Sequence, residues 1–132
     1  MTVTQHTEKP SVLVVDDEPD MRLLARTLLE RAGLDVIGEA ADGPQALERF
    51  DALDPPPVPT VVVLDNRMPG LTGLEVAERM LVRHPEQMIV LFSAHLDAEV
   101  EEGARATGVA ACVSKVHVGR LSKTIWSLLE TA

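Results

Sequence analysis

Ser11-Val12-Leu13-Val14-Val15-Asp16-Asp17-Glu18-Pro19 decides the fold: a β-branched-rich run ends on an acid pair and passes straight into a helix start. Four apolar residues in a row, with no polar alternation, suit a strand covered on both faces, as in a parallel sheet. Pro19 fits a first helical turn, where its missing N–H costs nothing. Met21, Leu24, Ala25 and Leu28 follow at helical spacing, and Gly33 supplies the stop.

The same unit recurs along the chain. Residues 34–40 read as a second strand and 43–53 as a second helix with Ala46, Leu47 and Phe50 inward. Pro55, Pro56, Pro57 and Pro59 make residues 54–60 a stiff connection, since neither a helix nor a central strand tolerates them. Val61-Val62-Val63-Leu64 is another buried strand, and Leu74, Ala77, Met80 and Leu81 mark a third helix. Residues 88–93 predict a fourth strand, 97–107 an acidic helix, 109–113 a short fifth strand and 118–129 a last helix. Five strands alternating with five helices imply an α/β domain, a parallel sheet covered on both sides.

A chain of 132 residues fits one domain, with residues 1–10 as a flexible tail and 11–130 as the folded unit. Twelve basic against 21 acidic residues leave a net charge of −9, which repels phosphate backbones and argues against direct nucleic-acid binding. The expected partners are proteins. Cys112 is alone, which excludes an intramolecular disulfide and a multi-cysteine metal site. No segment reaches the roughly 20 apolar residues that span a bilayer, and the polar start lacks a signal peptide's apolar core. The expectation is a cytoplasmic protein with no membrane contact.

In an open parallel sheet, ligands bind beyond the carboxyl ends of the strands. Asp16-Asp17 follow the first strand here, Asp65 the third, Ser93 the fourth and Lys115 the fifth. Three carboxylates, a hydroxyl and an ammonium would thus meet at one edge. The carboxylates repel one another, and a hard divalent cation such as Mg²⁺ relieves that repulsion with a few carboxylate oxygens, waters and a phosphate. A carboxylate can also act as a nucleophile and form an acyl phosphate, with Mg²⁺, Lys115 and Ser93 neutralising the transferring group.

These residues resemble a known family. Val12–Pro19, Leu64-Asp65-Asn66-Arg67-Met68-Pro69-Gly70, Ser93-Ala94 and Val113-Ser114-Lys115, each after its own strand, are similar to the receiver domain of bacterial two-component response regulators. The resemblance covers roughly residues 11–130. It implies the flavodoxin-like strand order 2-1-3-4-5, with Asp65 accepting a phosphoryl group from a sensor histidine kinase or a histidine phosphotransfer protein. Asp17 would bind Mg²⁺ directly and Asp16 through water, with Asp65 and the backbone carbonyl of Arg67 completing the metal's protein ligands. Ser93 and Lys115 would contact the phosphoryl oxygens. Arg67, Ala94 and His95 would occupy the positions that tune phosphoryl lifetime and switching. Such a chain is a phosphoacceptor rather than an enzyme, with at most self-phosphotransfer and autodephosphorylation. As a stand-alone regulator it would signal by binding a downstream protein through its last-helix region.

One departure stands out. The family carries Tyr or Phe three residues before the lysine, and here that residue is Cys112. A second reading follows, a phosphorylation-independent interaction module with atypical output coupling. Trp126 also has two readings, a partner surface or an aromatic closing the rim of the core. An aspartate-nucleophile phosphohydrolase is disfavoured because Arg67 stands where its second carboxylate would be. A flavin carrier is disfavoured because Asp16-Asp17-Glu18 would repel the flavin phosphate.

Overall fold

The computed structural model describes residues 9–53 and 59–131. The expected tail up to residue 8 and the prolines Pro55, Pro56 and Pro57 lie outside them. The described chain runs β1 (Ser11–Val15), α1 (Pro19–Arg31), β2 (Asp35–Ala40), α2 (Gly43–Ala52), β3 (Val61–Leu64), α3 (Gly73–Arg83), β4 (Met88–Ser93), α4 (Ala98–Thr107), β5 (Ala111–Ser114) and α5 (Gly119–Thr131). A single 3₁₀ turn, Lys115–His117, joins β5 to α5. All strand pairs are parallel, in the order β2-β1-β3-β4-β5. The flavodoxin-like five-stranded sheet with five helices is the architecture the sequence predicts.

Successive residues of a strand point to opposite faces, so the apolar runs feed two cores at once. Val12 and Val14 of β1, Val61 and Val63 of β3, and Val90 and Phe92 of β4 pack with Leu29 of α1 and with Leu121 and Ile125 of α5. Leu13, Val15, Val62, Leu64 and Ile89 face the other way, against Ala46 and Phe50 of α2 and Val76, Ala77 and Met80 of α3. Each such side chain removed from water contributes about 1.5–3 kcal/mol, and the central strands collect that on both faces.

Helix starts are fixed locally. Asp42 caps α2 through the Gln45 amide, Thr72 and Glu75 form a capping box on α3, and Asp97 caps α4 through Val100. Two expectations need correction. In α1, Leu29 is fully buried, whereas Leu24 is 37% exposed. The fifth strand begins at Ala111, not at residue 109. The reason is the end of α4: Gly108, at φ 108°, turns the chain so that both Gly108 and Val109 donate to the Ala104 carbonyl. Val109 is spent on closing the helix.

Candidate functional site

The strand register brings the predicted residues to one edge. Val15, Leu64, Leu91 and Cys112 lie side by side in β1, β3, β4 and β5. One step beyond that row stand Asp16 and Asp65, and two steps beyond it Asp17 and Ser93. Lys115 follows at the first position of the 3₁₀ turn. Continuation of the sheet by single hydrogen bonds fixes both acids: the Asp16 amide donates to the Ala40 carbonyl and the Asp65 amide to the Val15 carbonyl, each at 3.0 Å.

Asp16, Asp17 and Asp65 offer carboxylate oxygens that lie within 4.8 Å of one another. Asp16 and Asp65 are almost wholly buried. Lys115 Nζ stands 2.7 Å from Asp16 Oδ2, 3.2 Å from Asp65 Oδ2 and 3.7 Å from Glu18 Oε1, with its side chain 8% exposed. The Asp16 carboxylate also accepts from the Glu18 amide at 2.9 Å. The Asp17 carboxylate, by contrast, has no hydrogen bond or ion pair among the described residues.

Electrostatics follow from this crowding. Burial pushes the Asp65 carboxyl above the ordinary aspartate range; Asp16 adds to that, while Lys115 and the Arg67 backbone oppose it. Burial pulls the Lys115 ammonium down, but the Asp16 and Asp65 carboxylates outweigh it and hold the group above its ordinary range. One cation thus serves two buried carboxylates and leaves a third without a partner among the described residues. The donor set consists of hard carboxylate oxygens, with no imidazole or thiolate among them, which fits Mg²⁺.

The remaining sequence candidates lie around this edge. Ser93, fully buried at the end of β4, accepts a hydrogen bond from the His95 amide at 3.2 Å through Oγ. Ala94, His95 and Arg67 are exposed on the loops beside it. Cys112 is half-buried on β5, and burial, with Glu101 second, pushes its thiol up. A cleft of about 240 Å³ opens beside it, lined by Glu101, Ala104, Arg105, Val109, Ala110 and Ala111. Trp126 is not brought to the site. Its indole N–H donates to the Ala32 carbonyl at 2.8 Å and its ring packs on the core at the end of α1.

Two contacts at the site escaped sequence reasoning. Gly73 opens α3 hard against the loop after Asp65: a Cβ there would run into the Asp65 carbonyl oxygen and stand 2.8 Å from Asn66 Cα. Asn66 completes the latch, its carbonyl accepting from the Gly73 amide at 2.9 Å and its side-chain oxygen from the Leu74 amide at 3.1 Å. Arg22 donates to the Asp16 carbonyl at 2.7 Å. Both depend on approaches between elements, which sequence spacing does not display.

Comparison with known proteins is consistent with this geometry. The family model described as response regulator receiver domain matches residues 12–125. A protein-glutamate methylesterase/protein-glutamine glutaminase of Geobacter metallireducens is 42% identical over 89 residues, 67% of this chain and 24% of that protein. The chain therefore spans about a quarter of that relative's length. The signal receiver domain of the NarL response regulator from Mycobacterium tuberculosis superposes with a TM-score of 0.80 at 32% identity, covering 95% of this chain and 99% of that one. A CheX–CheY–BeF₃–Mg²⁺ complex from Borrelia burgdorferi shares the fold, with a TM-score of 0.84 at 20% identity over 90% of this chain and 88% of that one. No helix among the described residues is long and apolar enough to cross a membrane.

Proposed function

Because the chain belongs to the response regulator receiver domain family, we propose that Asp65 accepts a phosphoryl group from the phosphohistidine of a sensor histidine kinase or histidine phosphotransfer protein. The observation that carries this is the buried ammonium of Lys115 shared between Asp16 and Asp65, with Asp17 left unpaired among the described residues. One ammonium against three carboxylates leaves two negative charges uncompensated, and a phosphoryl group would enlarge the deficit. Asp16, Asp17, Asp65 and the Arg67 carbonyl would hold Mg²⁺, which when bound supplies the charge that shields attack by one anion on another.

The rest of the chemistry belongs to the chain. An Asp65 carboxylate oxygen forms the new bond to phosphorus as the donor's phosphorus–nitrogen bond breaks, and the bonding pair leaves with the imidazole. Lys115, already 3.2 Å from Asp65, pairs with a phosphoryl oxygen, and the Ser93 hydroxyl exchanges the His95 amide for another. Asp65 must be ionised to attack, and Lys115 favours that form. Output passes to a protein partner at the last-helix region, where Val116 is exposed beside the lysine. The acidic net charge supports a protein rather than a nucleic acid in that role.

The test is intact-protein mass after incubation with acetyl phosphate, with and without Mg²⁺, on wild type and Asp65→Asn. A Mg²⁺-dependent adduct confined to wild type is expected; equal labelling of the variant would refute the acceptor. Cys112 supports a second reading, a module whose partner affinity ignores phosphorylation, since no ring stands at this position to report it. Partner binding that is equal before and after labelling would favour that reading over the switch.

A further inference from the structure

We propose that Arg22 is a positioning residue for the cation site: it orients the Asp16–Asp17 peptide so that the Asp17 carboxylate faces its metal. The inference rests on the Mg²⁺ reading given above. Asp16 is held at every polar atom. Its amide donates to the Ala40 carbonyl at 3.0 Å, Oδ1 accepts from the Glu18 amide at 2.9 Å, Oδ2 meets Lys115 at 2.7 Å, and its carbonyl accepts from Arg22 Nη1 at 2.7 Å. Among the described residues Asp17 has no such anchors, so its direction is set by the peptide that precedes it. The oxygen of that peptide is the one Arg22 grips.

Arg22 is itself fixed from behind. Its Nε lies 3.3 Å from Glu39 Oε1 on β2, and Glu39 also pairs with Arg26 of α1. The Arg22 amide donates to the Glu18 carbonyl at 3.0 Å in the first turn of α1. The guanidinium fork therefore ties the end of β1 to the edge strand, with one nitrogen on the backbone and another on a carboxylate, which a lysine cannot reproduce. Mg²⁺ demands near-ideal octahedral geometry at about 2.0–2.1 Å, so a small rotation of this peptide is enough to spoil the Asp17 ligand.

Charge and position predict opposite signs. Removing a cation beside an anionic cluster tightens Mg²⁺ binding if Arg22 acts only through its field. Removing the grip on the peptide weakens it. The experiment is calorimetric titration of Mg²⁺, repeated with Mn²⁺ followed by water-proton relaxation, on wild type, Arg22→Ala, Arg22→Met and Arg22→Lys. A rise in Kd of roughly tenfold, typical of losing a group that orients a metal ligand, is expected for Ala and Met, with partial recovery in Lys. Binding by the Met variant as tight as wild type, or tighter, would overturn the inference. Wild type that takes up no Mg²⁺ would instead overturn the metal reading on which it stands.

Discussion

Asp65 holds its proton more tightly than an exposed aspartate does, chiefly because it is buried and then because Asp16 lies beside it. Between the unfolded and the folded pKa, the native protein therefore keeps a proton that the unfolded chain has already released. With the folded pKa raised, the contribution of Asp65 to stability is whole below the ordinary carboxylate pKa and is lost as pH rises through the folded value. In metal-free protein, the melting temperature of Asp65→Asn relative to wild type should climb as pH goes from about 4 to about 7. A difference that stays constant over that window would mean Asp65 titrates normally. Most residues of this site were legible because the family's motif fixes each to a strand end. The counter-ion arrangement was not: nothing in the spacing of Asp16 and Lys115 says that they meet at 2.7 Å while Asp17 goes without a partner among the described residues.

Elements were legible where composition left one choice. Val12 to Val15 and Val61 to Leu64 admit no amphipathic helix, and the structure shows strands buried on both faces. In α1 the leucines come in adjacent pairs, Leu23-Leu24 and Leu28-Leu29, and spacing alone cannot choose which member faces the sheet; tertiary packing chose Leu29. The start of α3 was beyond reach for a related reason, since a glycine after a capping threonine looks like any helix start. Gly73→Ala should push α3 away from the acceptor loop, cost about 1–3 kcal/mol as overpacking does, and slow acetyl-phosphate labelling. A melt and a labelling rate both equal to wild type would mean the loop yields freely. At the other end of the fold, Trp126→Phe removes the hydrogen bond from α5 to the end of α1. About 1–2 kcal/mol of stability should go with it, measurable by urea unfolding, with labelling unchanged. Partner binding lost without any loss of stability would move Trp126 to the binding surface.

For the whole molecule, cation binding at this cluster would be one equilibrium with folding, because the cluster is assembled from the ends of β1 and β3 and does not exist in the unfolded chain. At a hundred times its Kd, Mg²⁺ should stabilise the fold by roughly 2.7 kcal/mol, seen as a rise of several degrees in the thermal melt. Asp17→Asn should abolish most of that rise, and a variant that keeps it would place the ion elsewhere. The lysine between Asp16 and Asp65 gives this equilibrium a further property. Its ammonium is tethered to the sheet through β5, so the carboxylates experience a local cation concentration set by a covalent leash, one that cannot be diluted or dialysed away. A divalent ion held by Asp16, Asp17 and Asp65 would add to that resident charge rather than enter an empty bowl. A site so furnished would keep Asp16 and Asp65 partly neutralised without any metal, and a divalent ion would supply the charge that Asp17 still lacks.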